Sequence, residues 1–196
     1  MGLEEAVFSG GKIKRMKRYE LIERISRKEL EDRLEELASR INQDYRGDEL
    51  VLVGILKGAF VFMADLIRRL SMPAEVDFIR LASYGSNAES SGAIRLTKDI
   101  ELDIRDRHVL IVEDIVDTGL TMSWLLKHLE SMGPCSVRVC TLIDKHERRE
   151  VNLEPDYVGI HMEKGFVVGY GLDFSERHRN LPAIYEVRFP GEDQGS

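Results

Sequence analysis

The sequence predicts an α/β fold, built on a mainly parallel β-sheet that is flanked by helices. Short continuous apolar runs recur along the chain, and such runs are typical of strands buried on both faces. Segments in which apolar residues recur at helical spacing lie between them. Strands that alternate with helices form largely parallel sheets covered on both faces. The last part of the chain is richer in strands, which favours a small side lobe.

The first predicted helix begins at a capping signal. Ser26 is followed three residues later by Glu29, which is a capping box, and apolar residues recur at helical spacing over 27–45. A continuous apolar run then predicts a buried strand over 50–56, and a mostly apolar stretch predicts a buried helix over 59–70.

The rest of the chain continues this alternation up to one segment of different composition. Further strands are predicted over 74–83, 109–116, 137–143, 157–162, 166–170 and 183–189, with a helix over 121–132. Between residues 84 and 98, Gly, Ser, Asn and Ala dominate, and such a stretch cannot bury enough apolar surface to be ordered alone. Two interpretations stay open for it: a mobile lid, or a surface hairpin.

The length, net charge and cysteine content limit the classes of protein to which the chain can belong. A chain of 196 residues fits one domain that needs no disulfide or structural metal. The net charge of −7 disfavours a protein that wraps nucleic acid. The two cysteines form no zinc-spaced cluster, and no run has the length of a signal peptide or a membrane span. We therefore expect a single cytoplasmic domain over 1–196, without nucleic-acid or membrane partners.

The most informative segment lies where the strand over 109–116 meets the next helix. Glu113 and Asp114 interrupt the apolar run, and the run DTGLT over 117–121 leads into the helix. Strand-to-helix turns at the carboxyl edge of a parallel sheet bind ligands, and a helix N-terminus suits a phosphate. Adjacent carboxylates are costly to bury unless hydroxyls or a metal ion satisfy them. Alternatively, the strand ends at Val112, the acids are solvated, and an aspartate at 117 only caps the helix.

This segment resembles the signature with which type I phosphoribosyltransferases bind phosphoribosyl pyrophosphate (PRPP): two acids followed three residues later by D-T-G-x-T. The same resemblance, closest to the hypoxanthine-guanine branch of the family in its bacterial form, extends over 15–189. Four further stretches carry it in the family's order, namely Leu56-Lys57-Gly58, 76–84, Asp144-Lys145, and 166–173 with Arg179. It implies a type I phosphoribosyltransferase-like core, a small strand-rich hood from the N- and C-terminal segments, and a flexible catalytic loop over about 84–98.

The resemblance also implies an activity. The expected reaction is Mg²⁺-dependent transfer of the 5-phosphoribosyl group from PRPP to a 6-oxopurine, hypoxanthine and/or guanine, in purine salvage. The products would be IMP or GMP and pyrophosphate, and the family further implies a homodimer or homotetramer. Two alternatives stay open: a PRPP-binding regulatory protein of the same fold that binds RNA, and a phosphoribosyltransferase that prefers xanthine.

Roles for the acidic residues follow from the resemblance. Glu113 and Asp114 are expected to bind the ribose hydroxyls and, together with Asp173, to hold Mg²⁺. Asp117 is expected to act near purine N7 as general base or acid. The full set expected to bind PRPP or nucleotide is Lys57, Gly58, Glu113, Asp114, Asp117, Thr118, Gly119, Leu120, Thr121 and Arg179.

The remaining roles concern the purine and the loop that covers it. Lys145 is expected to donate to the 6-oxo group and Phe166 to stack on the base, although a solvated lysine and a core phenylalanine are the ordinary alternatives. Ser83 and Tyr84 are expected to close over the reaction centre as catalytic residues. In this family the bond between Leu56 and Lys57 can be cis. The full purine-binding set is expected to be Ile115, Lys145, Phe166, Val167 and Asp173.

Overall fold

A computed structural model describes residues 6–9, 12–15, 19–83 and 94–190. Its helices are α1 (Arg27–Asp44), α2 (Phe60–Ile67) and α3 (Leu120–Glu130). In chain order, its strands are β1 (Ala6–Ser9), β2 (Lys12–Arg15), β3 (Glu20–Ile25), β4 (Leu50–Leu56), β5 (Ala74–Ser83), β6 (Ile94–Lys98), β7 (His108–Val116), β8 (Ser136–Lys145), β9 (Tyr157–Met162), β10 (Val167–Val168) and β11 (Ile184–Arg188).

The central sheet has six strands in the order β6-β5-β4-β7-β8-β9. All neighbouring strands run parallel except β5 and β6, so the predicted mainly parallel sheet is confirmed. From β4 the chain first extends the sheet on one side with β5, and later on the other side with β7. The carboxyl ends of β4 and β7 therefore meet where the strand order reverses, which is where open α/β sheets bind ligands.

Helices cover both faces of this sheet. Ser26 caps α1 through the predicted box: its hydroxyl accepts from the Glu29 amide at 3.3 Å, and the Ser26 amide donates to the Glu29 carboxylate at 2.8 Å. The buried stripe of α1 packs with α2 into one hydrophobic cluster, and α3 packs into a second. None of the described helices combines the length and apolar character needed to cross a membrane.

A second, three-stranded sheet forms the side lobe, in the antiparallel order β10-β11-β3. It joins an N-terminal strand to two C-terminal strands, around a small core that contains Tyr19, Val168 and Val187. The sequence did not predict β3, because its residues are exposed or only half-buried and give no apolar run. The strand predicted over 166–170 shrinks to β10, since residues 169–171 adopt positive φ and leave the ladder.

The segment predicted as a loop over 84–98 is partly a strand. Its last five residues form β6, which pairs antiparallel with β5 as the second arm of a hairpin, so for 94–98 the surface-hairpin interpretation is confirmed and the flexible-loop interpretation is wrong. The physical reason is pairing: the edge of β5 supplies the hydrogen bonds that a polar sequence cannot secure alone. The remaining predicted loop, including Tyr84, lies outside the described residues.

Candidate active site

The acid pair lies inside strand β7 at the carboxyl edge of the sheet. The strand continues to Val116, so the interpretation that it ends at Val112 is wrong. Glu113 and Asp114 are partly buried, and the bonds that they accept come from adjacent backbone amides at 3.1 and 3.0 Å. Burial, and then the negative charge of Asp114, raise the pKa of Glu113 well above its ordinary value. This site therefore favours a ligand that supplies positive charge or hydroxyl donors.

The turn after β4 lies directly against this acid pair. Its Leu56–Lys57 peptide bond is cis, as the resemblance allows. A Cβ atom added to Gly58 would lie 1.7 Å from Oδ2 of Asp114, and one added to Gly171 would lie 2.3 Å from the Gly58 carbonyl oxygen. Three chain segments far apart in sequence thus meet at distances that glycine alone permits.

Charged side chains join the same turn to the segment after β10. Lys57 donates to Glu176 at 2.8 Å, and Arg179 pairs with Asp173 at 2.7 Å and with Glu176 at 3.3 Å. Arg179 also donates to the Gly171 carbonyl at 2.7 Å, while its Nε is buried without a partner among the described residues. Sequence reasoning missed Glu176, since an acid in a polar turn gives no distinctive signal.

The loop between β7 and α3 forms an open cradle. Gly119 is the N-cap of α3 with φ +80°, a conformation that suits glycine, and Thr118 accepts from the Leu120 amide at 3.3 Å. Because Gly119 occupies the cap position, the interpretation of Asp117 as a mere N-cap is wrong. A cleft of about 220 Å³ lies here, lined by Glu113, Asp114, Ile115, Val116, Asp117, Thr118, Gly119, Thr121 and Met122.

Asp117 lies at the mouth of this cleft with its two carboxylate oxygens in different surroundings. Oδ2 forms an ion pair with the exposed side chain of Arg148. Oδ1 is buried and has no hydrogen-bond partner among the described residues. A buried carboxylate oxygen is costly without a donor, so Oδ1 is suited to accept a bond from a bound molecule.

The end of β8 and the loop that follows it contact the backbone of the cradle and support it. Lys145 is only 6% exposed and pairs with Glu147 at 3.1 Å, so the interpretation of a solvated lysine is wrong. Arg149 donates to the carbonyl oxygens of Asp117 at 2.9 Å, Lys145 at 3.1 Å and Val116 at 3.3 Å. Sequence reasoning did not single out Arg149, which lies in a charged run that resembles a solvated surface.

The aromatic residue predicted to stack on a base is available to do so. Phe166 is 48% exposed and packs edge-on against Phe174, with ring centroids 5.5 Å apart. The interpretation of Phe166 as a core residue is therefore wrong, whereas its neighbour Val167 is 5% exposed and belongs to the core. Ile115 is partly buried on β7, and Ser83 ends β5 opposite Ile94.

A larger cavity of about 940 Å³ lies at the opposite, amino-terminal edge of the sheet, between the end of α1 and the starts of β4 and β5. It contains none of the predicted site residues. The cleft on β7 is smaller, but it lies at the carboxyl edge beside the acid pair, where the chemistry of the side chains is concentrated.

The chain matches the model of the phosphoribosyl transferase domain over residues 23–175. The chain belongs to this family. It is similar to the hypoxanthine-guanine phosphoribosyltransferase of Mycobacterium bovis, with 45% identity over 166 residues and 82% of each chain covered. It is also similar to the hypoxanthine phosphoribosyltransferase of Haemophilus influenzae, with 42% identity over 88% of this chain and 98% of the relative.

A solved structure gives the same result for the fold. The crystal structure of a hypoxanthine-guanine phosphoribosyltransferase from Bacillus anthracis matches with a TM-score of 0.80 and 42% identity. The match covers 86% of this chain and 98% of that one. The fold class predicted from the sequence, a type I phosphoribosyltransferase-like core, is confirmed.

Proposed function

We propose that this chain transfers the 5-phosphoribosyl group of PRPP to a 6-oxopurine, hypoxanthine and/or guanine, in purine salvage. The products are IMP or GMP and pyrophosphate. The observation that carries the proposal is the contact of Gly58 with Asp114, which joins the turn after β4 to the acid pair and the cradle of α3. The substrates in this proposal are taken from the similar proteins, which are named hypoxanthine-guanine and hypoxanthine phosphoribosyltransferases.

PRPP occupies this junction in the proposal. The amides at the N-terminus of α3 and the hydroxyls of Thr118 and Thr121 bind the 5′-phosphate, because unpaired N–H groups and the helix dipole favour an anion. Glu113 and Asp114 accept hydrogen bonds from the ribose hydroxyls. The full set of PRPP-binding residues is Lys57, Gly58, Glu113, Asp114, Asp117, Thr118, Gly119, Leu120, Thr121 and Arg179.

The residues around the acid pair fit Mg²⁺. Carboxylate oxygens are its preferred protein ligands. Burial, and then the negative charge of Asp114, raise the pKa of Glu113, and a bound cation would offset both effects. Glu113, Asp114 and Asp173 would hold the ion, directly or through water. When bound, Mg²⁺ supplies positive charge that stabilises the pyrophosphate leaving group.

The purine is held by residues from three elements. The Lys145 ammonium donates to the 6-oxo group and favours 6-oxopurines over adenine, whose amino group would face another donor. Phe166 stacks on the ring, and the backbone at Val167 reads its edge. Ile115 and Asp173 complete the purine-binding set.

The reaction exchanges one bond at C1′ for another. The bond from C1′ to the pyrophosphate oxygen breaks, and a purine nitrogen forms the new bond from the opposite face. Arg179 and Lys57 stabilise the charge that develops on pyrophosphate. Asp117, through its unpartnered oxygen, takes or returns the purine proton at N7. Ser83, at the end of β5, and Tyr84, which follows it, close over the reaction centre and exclude water.

The same proposal covers the organisation of the protein. The chain acts as one phosphoribosyltransferase domain over 1–196, with a hood from its N- and C-terminal segments. It works as a homodimer or homotetramer in the cytoplasm, on small molecules rather than on nucleic acid or membranes.

The test is a direct assay. Purified protein is mixed with PRPP, Mg²⁺ and hypoxanthine, guanine, xanthine or adenine, and nucleotide formation is followed. Turnover of hypoxanthine or guanine is expected, with loss of activity when Mg²⁺ is chelated and little turnover of adenine. Xanthine as the preferred base would replace the substrate part of the proposal. PRPP binding without turnover of any base, together with salt-dependent RNA binding, would overturn the enzyme in favour of a regulatory protein.

A further inference from the structure

Two histidines and an aspartate that have no role in the proposed reaction lie together beside Lys145. Asp144 and His161 are direct neighbours across the parallel strands β8 and β9, and His146 follows Asp144 by two residues. Paired residues of neighbouring strands point to the same face of a sheet, so Asp144 and His161 share one face, and His146 lies just beyond the end of β8. Oδ2 of Asp144 lies 2.8 Å from Nε2 of His146 and 3.5 Å from Nδ1 of His161.

These three ligand atoms lie within 4.8 Å of one another. We propose that Asp144, His146 and His161 bind a divalent transition-metal ion such as Zn²⁺. Bond lengths of about 2.0–2.2 Å from zinc to imidazole nitrogen and carboxylate oxygen place tetrahedral ligand atoms roughly 3.4 Å apart. This separation lies between the 2.8 Å and 3.5 Å from Asp144 Oδ2 to the two histidine nitrogens. Three protein ligands leave one coordination position for water or another small ligand.

The burial pattern supports a metal rather than ordinary ion pairing. The Asp144 side chain is 4% exposed and already pairs through its other oxygen with Arg149, whereas the side chains of His146 and His161 are 56% and 71% exposed. A second and third positive partner adds little to a carboxylate that a buried guanidinium neutralises. Without metal, Nε2–H of His146 donates to the Asp144 carboxylate, and a move of that proton to Nδ1 frees the Nε2 lone pair for an ion. Arg149 fixes the orientation of the carboxylate as an outer-shell partner does.

The chemistry of the ligands separates this site from the proposed Mg²⁺ site. Imidazole nitrogens favour Zn²⁺, Cu²⁺ or Ni²⁺, whereas Mg²⁺ prefers an all-oxygen set such as Glu113, Asp114 and Asp173. Excess Mg²⁺ should therefore occupy the acid pair without displacing Zn²⁺ from the histidines. The inference stands independently of the proposed enzymatic reaction, because its readout is metal binding.

The test is calorimetric titration with Zn²⁺ in excess Mg²⁺, for the full chain and for His146→Ala, His161→Ala and the double variant. The full chain is expected to bind Zn²⁺, with affinity at least about tenfold weaker in each single variant and weaker still in the double variant. Visible absorption of bound Co²⁺ gives a second readout of imidazole ligation. Unchanged thermal unfolding without metal checks that the variants, whose changes are on exposed side chains, fold normally.

His128→Ala is the matched control. His128 pairs with Asp99 at 3.0 Å but belongs to no three-ligand cluster among the described residues, so its loss should leave Zn²⁺ affinity unchanged. Absence of Zn²⁺ binding in the full chain would overturn the proposal. Equal affinity in the double variant would overturn it as well, since the ion would then reside elsewhere.

Discussion

At the scale of single residues, Gly58 has the most constrained position in the proposed site. A methyl group there would lie 1.7 Å from Asp114 Oδ2, so either the turn or the carboxylate must move. We expect Gly58→Ala to lower kcat/KM by about 100-fold or more, since displacement of about 1 Å at a reacting centre costs that much. Steady-state kinetics with PRPP as the varied substrate measure the effect.

Gly47→Ala is the control for this substitution. A Cβ at Gly47 meets nothing within 4 Å, but its φ of +91° disfavours alanine. This variant should lose about 1 kcal/mol of stability and keep its activity. Equal activity of Gly58→Ala and the unmodified protein would show that the turn after β4 does not need its contact with Asp114.

Lys145 tests how the purine is recognised. Lys145→Gln removes a cationic donor, and a hydrogen bond to a charged group contributes about 1.5–3 kcal/mol, so we expect kcat/KM for hypoxanthine to fall by about 10- to 100-fold. PRPP binding, followed separately by calorimetry, should change little. Lys127→Gln, at an exposed position on α3, should leave both unchanged. A parallel loss of PRPP affinity in Lys145→Gln would instead assign Lys145 to the phosphate side of the site.

At the scale of elements, the loop after β8 supports the cradle before α3. Arg149 is 12% exposed and donates to the carbonyl oxygens of Val116 and Asp117, so it fixes the backbone that presents the phosphate-binding amides. Arg149→Ala removes these donors, and we expect the KM for PRPP to rise roughly tenfold or more. The thermal midpoint should fall as well.

Two further variants make this prediction specific. Arg149→Lys keeps the charge but lacks the planar fork that reaches several oxygens, so it should recover only part of the PRPP affinity. Arg33→Ala removes a surface ion pair with Glu36 and should have little effect, because exposed pairs contribute little. Full recovery by lysine would mean that charge alone, rather than loop geometry, supports the cradle.

The sequence predicted elements well wherever an apolar run ends at turn residues. The bounds of β4, β5 and β9 agree with the prediction, and β7 begins one residue earlier than predicted. It failed for β3, whose residues give no apolar run, and it left 94–98 open between a lid and a hairpin. Both segments become strands because a neighbour pairs with them. Local pattern carries no record of such long-range pairing.

The same limit applies to the site. The acid pair and the DTGLT run were found because carboxylates inside an apolar strand are costly, and therefore conspicuous. Arg149 and Glu176 were missed, since the bonds from Arg149 to Asp117 and from Glu176 to Lys57 span more than thirty positions and nothing in the neighbouring sequence marks them. Motifs gave the groups that we propose to contact the ligand, whereas only the fold gives those that hold the motifs in place.

At the scale of the whole molecule, the site draws on segments that the reversal of strand order brings together. The turn after β4, the cradle after β7, the loop after β8 and the segment after β10 meet at one edge of the sheet. The hairpin of β5 and β6 extends from the same edge and is anchored at its base by Asp77. The stability of that anchor bears on the entire sheet, because β5 pairs directly with β4.

Asp77 should make the stability of the whole protein depend on pH in the acid range. Burial alone would raise its pKa, but amides of Glu101, Phe78 and Leu102 and the Lys98 ammonium donate to it and lower its pKa to about 2. A lowered folded-state pKa stabilises the protein fully above the ordinary value of 3.8, and this contribution is lost as pH falls toward 2. Asp77→Asn should therefore lower the free energy of unfolding by about 2 kcal/mol at neutral pH, as urea unfolding would measure, and approach the unmodified protein near pH 2.

Asp103→Asn, at an exposed position, is the control for this substitution and should change the stability little at any pH. A constant difference between Asp77→Asn and the unmodified protein across this range would show that packing, not the charged carboxylate, anchors the hairpin.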